Sequence, residues 1–369
     1  MKIGFDAKRA FHNKTGLGNY SRSVIQSIAK IRDTDQLYLM TPSLNKQNFN
    51  IKNTNINIVQ PSLYINKIYW RSKGMNKHLN NNSIDIYHGL SNELPHGITV
   101  KSVVTIHDLL FLKYPQFYNY FDRNIYYIKS KIACQSANKI IATSQQTKKD
   151  IINFFNIPEE KIQVIYQTCQ PEFIHGPNKS KVNKQLIKNI QEPFILYVGS
   201  IEKRKNLIFL LQAIVKMKKE IKLICVGKKY SYYKKVKNFI DLNKLSKRVT
   251  FLNVNNTDTL ALLYKKSRAL IYPSINEGFG IPIIEAMYSK IPVITSNKAI
   301  FKEIGGENSY YFEEGKLDSL IEKITNTWTD SQNRDDKVQI NFKYVQKFNE
   351  YQQAYNIIDL YKNLVNHGS

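Results

Sequence analysis

Cysteine is scarce in this chain and acid is in short supply. Cys134, Cys169 and Cys225 are odd in number and widely spaced, so they form neither a disulfide framework nor a zinc pattern. They are expected as free thiols, mostly buried. His12, His78, His88, His96, His107, His175 and His367 show no i,i+4 pairing near a carboxylate, so no structural metal is expected. No run approaches the roughly 18 apolar residues of a membrane span. The start, Met1 to Asp6, carries no signal-peptide core, which implies a protein that stays in the cytoplasm. Low-complexity segments and short repeats are missing too.

The shortage of acid leaves 54 Lys and Arg against 29 Asp and Glu, a formal net charge of +25. Residues 1–180 hold 23 of those cations and 11 of those acids, so the excess is shared about evenly along the chain. Such a balance is read either as a diffuse solvated coat or as attraction to an anionic membrane or substrate. A nucleic-acid-binding protein is a further reading of this charge and of 24 tyrosines, but there is no recognised motif and no basic stripe.

What is present is alternation. Apolar runs at 2–6, 36–40, 84–88, 102–106, 139–143 and 163–166 read as strands, and the pattern restarts at 194–198, 221–226, 249–252, 268–272 and 292–295. Helical patterns lie between most of them, among them 18–31, 145–155, 206–218 and 282–289. This predicts an α/β protein with two doubly wound parallel sheets, each covered by helices on both faces. Residues 171–193, with Gly176-Pro177 and several lysines, read as the connection between the halves. The expected domains are 1–172, joined by a terminal amphipathic helix within 348–369, and 173–347. Tyr351, Tyr355, Ile358, Leu360, Tyr361 and Leu364 are spaced largely for one face of that helix.

In doubly wound sheets ligands sit beyond the carboxyl ends of strands, and the unusual residues fall there. Gly16 and Gly18, after the first strand, would let the backbone and a helix start approach a phosphate; a tight turn is the plainer reading, because Ser21 breaks the dinucleotide fingerprint. His107 ends another strand, where it can donate to a sugar hydroxyl or serve as a structural histidine; His88 has a weaker claim of the same kind. After the strand that opens the second half comes Gly199-Ser200, then Lys203-Arg204-Lys205. Three cations at a helix start oppose the helix dipole, a cost that a bound diphosphate would offset. Finally, Glu277-Gly278-Phe279-Gly280-Ile281-Pro282 forms a Gly-rich loop into a helix that carries Glu285. Two glutamates could also be the acid and base of a glycosidase, but a Gly-rich loop opening a helix favours a phosphate-bearing ligand.

These residues resemble those of the family 4 ("group 1") glycosyltransferases. Glu277 and Glu285, with seven residues between, match that family's E-x7-E motif and its G-F-G interior. Tyr197-Val198-Gly199 with Arg204-Lys205-Asn206 resembles its diphosphate loop, residues 15–20 its N-terminal glycine loop, and Thr143-Ser144 its T/S-x-S region. The resemblance implies the GT-B fold, two Rossmann-like domains facing a central cleft, the first for the acceptor and the second for the donor. It also implies transfer with retention of configuration, with no metal and no cofactor, the nucleotide-sugar being a co-substrate. His107 and Glu277 would contact the donor sugar, with the amides of Phe279 and Gly280. Arg204 and Lys205 would hold the diphosphate and Glu285 the ribose, while Gly16, Gly18, Ser200, Gly278 and Ile281 would line the donor site. Ser200 stands where many members carry Arg, and Phe348 where many carry Trp.

Aromatics and cations interleave at 64–73 and 117–131, which suits peripheral contact with an anionic bilayer and a glycan or polyprenyl-linked acceptor; a half-buried helix with snorkelling lysines is the other reading. The block from Ile106 to Pro115 and Phe5-Asp6-Ala7-Lys8-Arg9 look similar to bacterial polysaccharide and O-antigen mannosyltransferases, so GDP-mannose is the expected donor, with UDP-sugars as the alternative.

Overall fold

The computed structural model describes residues 1–45, 49, 55–62, 65–188, 190, 192–217 and 219–366. Tyr64 and Lys218, at the ends of stretches read above, lie outside them, as do His367 and residues 368 and 369. The chain forms two compact units, Met1–Thr168 with Phe348–Ser369, and Cys169–Lys347.

The first unit holds seven parallel strands: β1 (Lys2–Asp6), β2 (Gln36–Met40), β3 (Ile56–Val59), β4 (Ile86–Gly89), β5 (Lys101–Ile106), β6 (Lys139–Ala142) and β7 (Ile162–Val164). Their order is β3-β2-β1-β4-β5-β6-β7, so the winding reverses between β1 and β4. The second unit repeats the plan with β8 (Phe194–Val198), β9 (Lys222–Val226), β10 (Val249–Leu252), β11 (Ala269–Tyr272), β12 (Val293–Ser296) and β13 (Tyr310–Phe312). Its order, β10-β9-β8-β11-β12-β13, reverses between β8 and β11. Reversal points of this kind open a crevice at the carboxyl ends of the two neighbouring strands. Most inner strands are buried along nearly their whole length, as parallel strands covered on both faces must be.

The helix Glu350–Asn366 packs on the first unit. Ala354, Ile357, Ile358, Leu360 and Tyr361 join the core of Ile3, Phe5, Tyr20 and Val24. The Tyr361 hydroxyl lies 2.5 Å from His88 Nδ1, while His88 Nε2 lies 2.8 Å from Thr105 Oγ1. Both ring nitrogens of His88 are thereby engaged, and burial drives the ring down to about 3, so His88 is a neutral structural residue. Tyr351 and Tyr355, expected on the packed face, point outward instead. The apolar stripe runs through Ala354 and Ile357, which spacing alone did not distinguish.

Residues 171–193 form more than a plain connection. The short helix Pro171–Ile174 seats Phe173 against Tyr264, and the backbone N–H groups of Asn178 and Asn183 donate to Asp258 and Thr259. The division therefore falls after Thr168, before the proline at 171. The three cysteines are free and buried.

Candidate active site

The crevice between β8 and β11 gathers the charged residues of the second unit. After β8 the chain runs through Gly199 and Ser200, whose carbonyl accepts from the Tyr197 hydroxyl, into a 3-10 turn, Lys203–Lys205. Asn206, at φ 57°, then leads into the helix Leu207–Lys216. The three cations thus precede the helix, and two of them are neutralised by carboxylates of the protein. The dipole penalty anticipated from the sequence is met internally.

The acceptor of both charges is Glu277, in the loop after β11. Lys205 Nζ lies 2.6 Å from its Oε1 and Arg204 Nη1 lies 2.8 Å from its Oε2. Ser274 Oγ donates to the same carboxylate, and Arg204 also donates to the Asn276 carbonyl and to Glu202. The Lys205 ammonium bonds the Tyr272 hydroxyl at 3.1 Å and sits over that ring. Burial alone would raise the Glu277 carboxyl; the charges of Lys205 and Arg204, with hydrogen bonds from Lys205 and Ser274, outweigh it and hold it at about 2. Burial pulls the Lys205 ammonium down, and the Glu277 carboxylate beside it pulls it back. From the sequence, Ser274, Tyr272, Asn276 and Glu202 carry no role of their own. Their only signal was a position at a strand end.

The loop then turns into the helix Ile281–Tyr288. Gly280 makes that turn at φ 119°, a conformation side chains rarely adopt, and Pro282 sits in the first helical turn. Phe279 is buried at the turn, while Gly278 and Ile281 stay partly accessible. Glu285 projects elsewhere: its Oε2 accepts from the Tyr264 hydroxyl at 2.7 Å. No cation pairs with it among the described residues, and burial pushes it up to about 7 against that one hydrogen bond. The two glutamates are therefore in opposite electrostatic states.

In the first unit, Gly16 opens the helix Gly16–Ile31. A side chain at Gly18 would strike the Asn13 carbonyl, with a Cβ only 1.8 Å from its oxygen. Gly18 is thus required by the packing of its own turn, the plainer of the two readings. His107 follows β5 directly and lines a cavity of about 290 Å³ with Arg9, Asn92 and Lys129. Its Nε2 lies 2.9 Å from the Leu90 carbonyl and must donate to it. Burial lowers the ring to about 4, so at neutral pH Nδ1 is an acceptor. The expected role as a donor to a sugar hydroxyl is corrected accordingly: His107 can receive a hydroxyl proton in a hydrogen bond. Among the described residues no group of three or more His, Cys, Asp or Glu could hold a metal ion, and no helix is long and apolar enough to cross a membrane.

Each unit is a doubly wound parallel sheet, and a cation–carboxylate cluster stands where the second sheet reverses. Residues 178–344 match the family described as glycosyl transferases group 1, and residues 16–172 match glycosyltransferase family 4. The chain belongs to this family of glycosyltransferases, with the GT-B fold. It is 27% identical over 349 residues to O-antigen chain mannosyltransferase B of Escherichia coli, covering 89% of this chain and 91% of the relative. It is 31% identical over 229 residues to O-antigen chain mannosyltransferase RfbU of Salmonella typhimurium, covering 60% of each. The structure of sucrose-phosphate synthase from Thermosynechococcus elongatus superposes on it with a TM-score of 0.80 over 100% of both chains at 19% identity. The glutamate pair thus sits in a transferase family rather than among glycosidases.

Proposed function

We propose that this glycosyltransferase moves a hexose, with retention and without a metal, from a nucleotide diphosphate donor to a glycan or polyprenyl-linked acceptor during assembly of a cell-surface polysaccharide. Mannose from GDP-mannose is the preferred donor. The observation that carries this reading is the Arg204–Lys205–Glu277 cluster at the reversal point of the second sheet. Glu277 keeps two cations charged and aimed before any ligand arrives. A diphosphate leaving group would meet them as its charge develops, which is where fixed charges lower a barrier most. Glu277, with the amides of Phe279 and Gly280, would receive the sugar hydroxyls, and Glu285 the ribose. His107 would meet the sugar through its acceptor nitrogen. Gly16, Gly18, Ser200, Gly278 and Ile281 complete the donor side. The departing phosphate serves as base for the incoming hydroxyl, so no protein nucleophile is assigned. The mannosyltransferase relatives support the choice of sugar.

A thermal-shift panel of GDP, UDP and ADP with their sugars tests the donor. A ligand at 100 times its Kd stabilises the folded state by about 2.7 kcal/mol. GDP and GDP-mannose are expected to give the largest shifts, and Lys205→Ala and Arg204→Ala to shrink them. Larger shifts with UDP-sugars would assign the alternative donor. If no nucleotide stabilises the protein, the reading is wrong.

Peripheral attachment to the cytoplasmic face of an anionic membrane belongs to the same proposal. Ile68, Tyr69, Tyr120, Phe121 and Ile128 are exposed on the first unit, Ile68 at 81% and Phe121 at 75%, among Lys67, Lys73, Arg123 and Lys131. Only Ser130, Ala133 and Cys134 of the helix Tyr120–Ser136 are buried, which favours the membrane over a half-buried helix. Co-sedimentation with vesicles rich in anionic lipid is expected, weakened severalfold by Ile68→Ser with Phe121→Ser and by high salt. Equal recovery with neutral vesicles would remove this part of the proposal.

A further inference from the structure

The reversal point of the first sheet, between β1 and β4, holds a cavity of about 430 Å³, within the range of small-molecule sites. Its polar wall is organised around Arg71. This residue lies in a π turn, Trp70–Gly74, that interrupts the surrounding helical segment. Its guanidinium reaches Asp6 Oδ2 at 2.5 Å and Glu93 Oε2 at 2.9 Å. The other Asp6 oxygen accepts from the Lys8 backbone N–H, and the other Glu93 oxygen pairs with Lys129 at 3.2 Å. All four carboxylate oxygens are thus engaged by the protein.

The cations are not all spent. Lys8 and Lys67 line the same cavity and form no ion pair among the described residues. Four cations face two carboxylates there, leaving two positive charges. Burial, then the neighbouring charge of Arg71, lowers the Lys8 ammonium, a strain that a bound anion would relieve. A neutral saccharide wants unengaged carboxylates for its hydroxyls, and this wall offers none. The cavity shares Glu93 and Lys129 with the one that His107 lines, so the two adjoin.

We propose that this cavity receives an anionic group of the acceptor, a phosphate or carboxylate adjoining the sugar to be extended, and that Lys8 and Lys67 are the residues that bind it. The inference rests on the transferase reading above and adds the class of acceptor: charged beside the accepting sugar. Arg71 is a positioning residue that holds the wall in place.

Three probes distinguish the chemistry: octyl mannoside, mannosyl octyl phosphate and octyl glucuronide, each titrated calorimetrically into the full chain without donor. At least one anionic probe is expected to bind about tenfold or more tighter than octyl mannoside. The tighter of the two names the source of the charge. Lys8→Gln combined with Lys67→Gln should abolish that preference, Lys8→Arg should retain it, and nucleotide binding should be unchanged in all variants. Equal binding of the three probes, no binding of any, or a preference that survives the double variant would overturn the proposal. A wild-type protein that prefers an anionic probe yet neither binds nucleotides nor transfers sugar would sink the transferase reading and leave the cavity assigned.

Discussion

Glu277→Gln is expected to slow sugar transfer by about 100-fold or more, the scale of losing one fixed group that faces developing charge. It should destabilise the second unit at the same time. Glu277 carries two ion pairs in which all three side chains are only 12–16% exposed. Removing one partner of such a cluster leaves buried charge unmatched, at a cost of about 3 kcal/mol, the low end for buried pairs. The depressed carboxyl leads to a similar figure. Its folded value of about 2, against an ordinary 4.5, corresponds to about 3 kcal/mol of stabilisation. This contribution is complete above pH 4.5 and is lost as pH falls through about 2. Glu277→Gln with Lys205→Met separates the two effects, since the Lys205 charge is removed with its partner and Arg204 keeps Glu202, so stability is recovered without restoring the site. Calorimetric melting and turnover are then compared. Stability recovered with turnover still absent supports the assigned role; a single variant with wild-type turnover refutes it.

Much of the fold was legible because inner parallel strands read as unbroken apolar runs. The inner runs at 2–6, 36–40 and 194–198, and the edge run at 249–252, coincide with strands residue for residue. Ile56–Val59 and Tyr310–Phe312 were not anticipated. They are edge strands, three or four residues long: the first is largely accessible and interrupted by Asn57, and the second, though buried at Tyr310 and Phe312, is too short for its run to stand out. The terminal helix was visible as amphipathic, but its buried stripe depended on which core it met.

The candidate site was legible by residue and illegible by partnership. Glu277, Arg204 and Lys205 stood out because unusual residues collected after strands. That Lys205 meets Glu277, 72 positions away, follows from β8 lying beside β11, an adjacency fixed by strand order rather than by local pattern. The same holds for Arg71 and Asp6, 65 positions apart, brought together by a π turn that no spacing rule signals. Histidine roles were likewise undecided until their partners were known. His88 and His107 lie at strand ends, yet one is engaged at both nitrogens and the other, bonded at Nε2, lines a cavity.

Glu285 gives the second large effect, with a sign opposite to that of Glu277. Burial raises its carboxyl to about 7, so the folded state keeps a proton that the unfolded chain gives up near 4.5. The stability of the ligand-free second unit should therefore fall by about 3 kcal/mol as pH rises from 4.5 to 7, and level off above. Donor affinity should move the other way. A carboxylate that accepts both ribose hydroxyls binds in its ionised form, so affinity for GDP-mannose should rise about tenfold per pH unit up to about 7 and then plateau. A nucleotide-sugar is the right probe because its diester phosphates do not titrate in this range. His88 and His107 titrate lower, at about 3 and about 4, and do not interfere. Titration calorimetry between pH 5.5 and 8.5, in two buffers of different ionisation heat, would reveal proton release on binding below pH 7. Glu285→Gln should bind more weakly, release no proton and show no pH dependence. Flat affinity in the wild type, or an unchanged profile in the Gln variant, would remove Glu285 from the ribose and leave it as a structural partner of Tyr264.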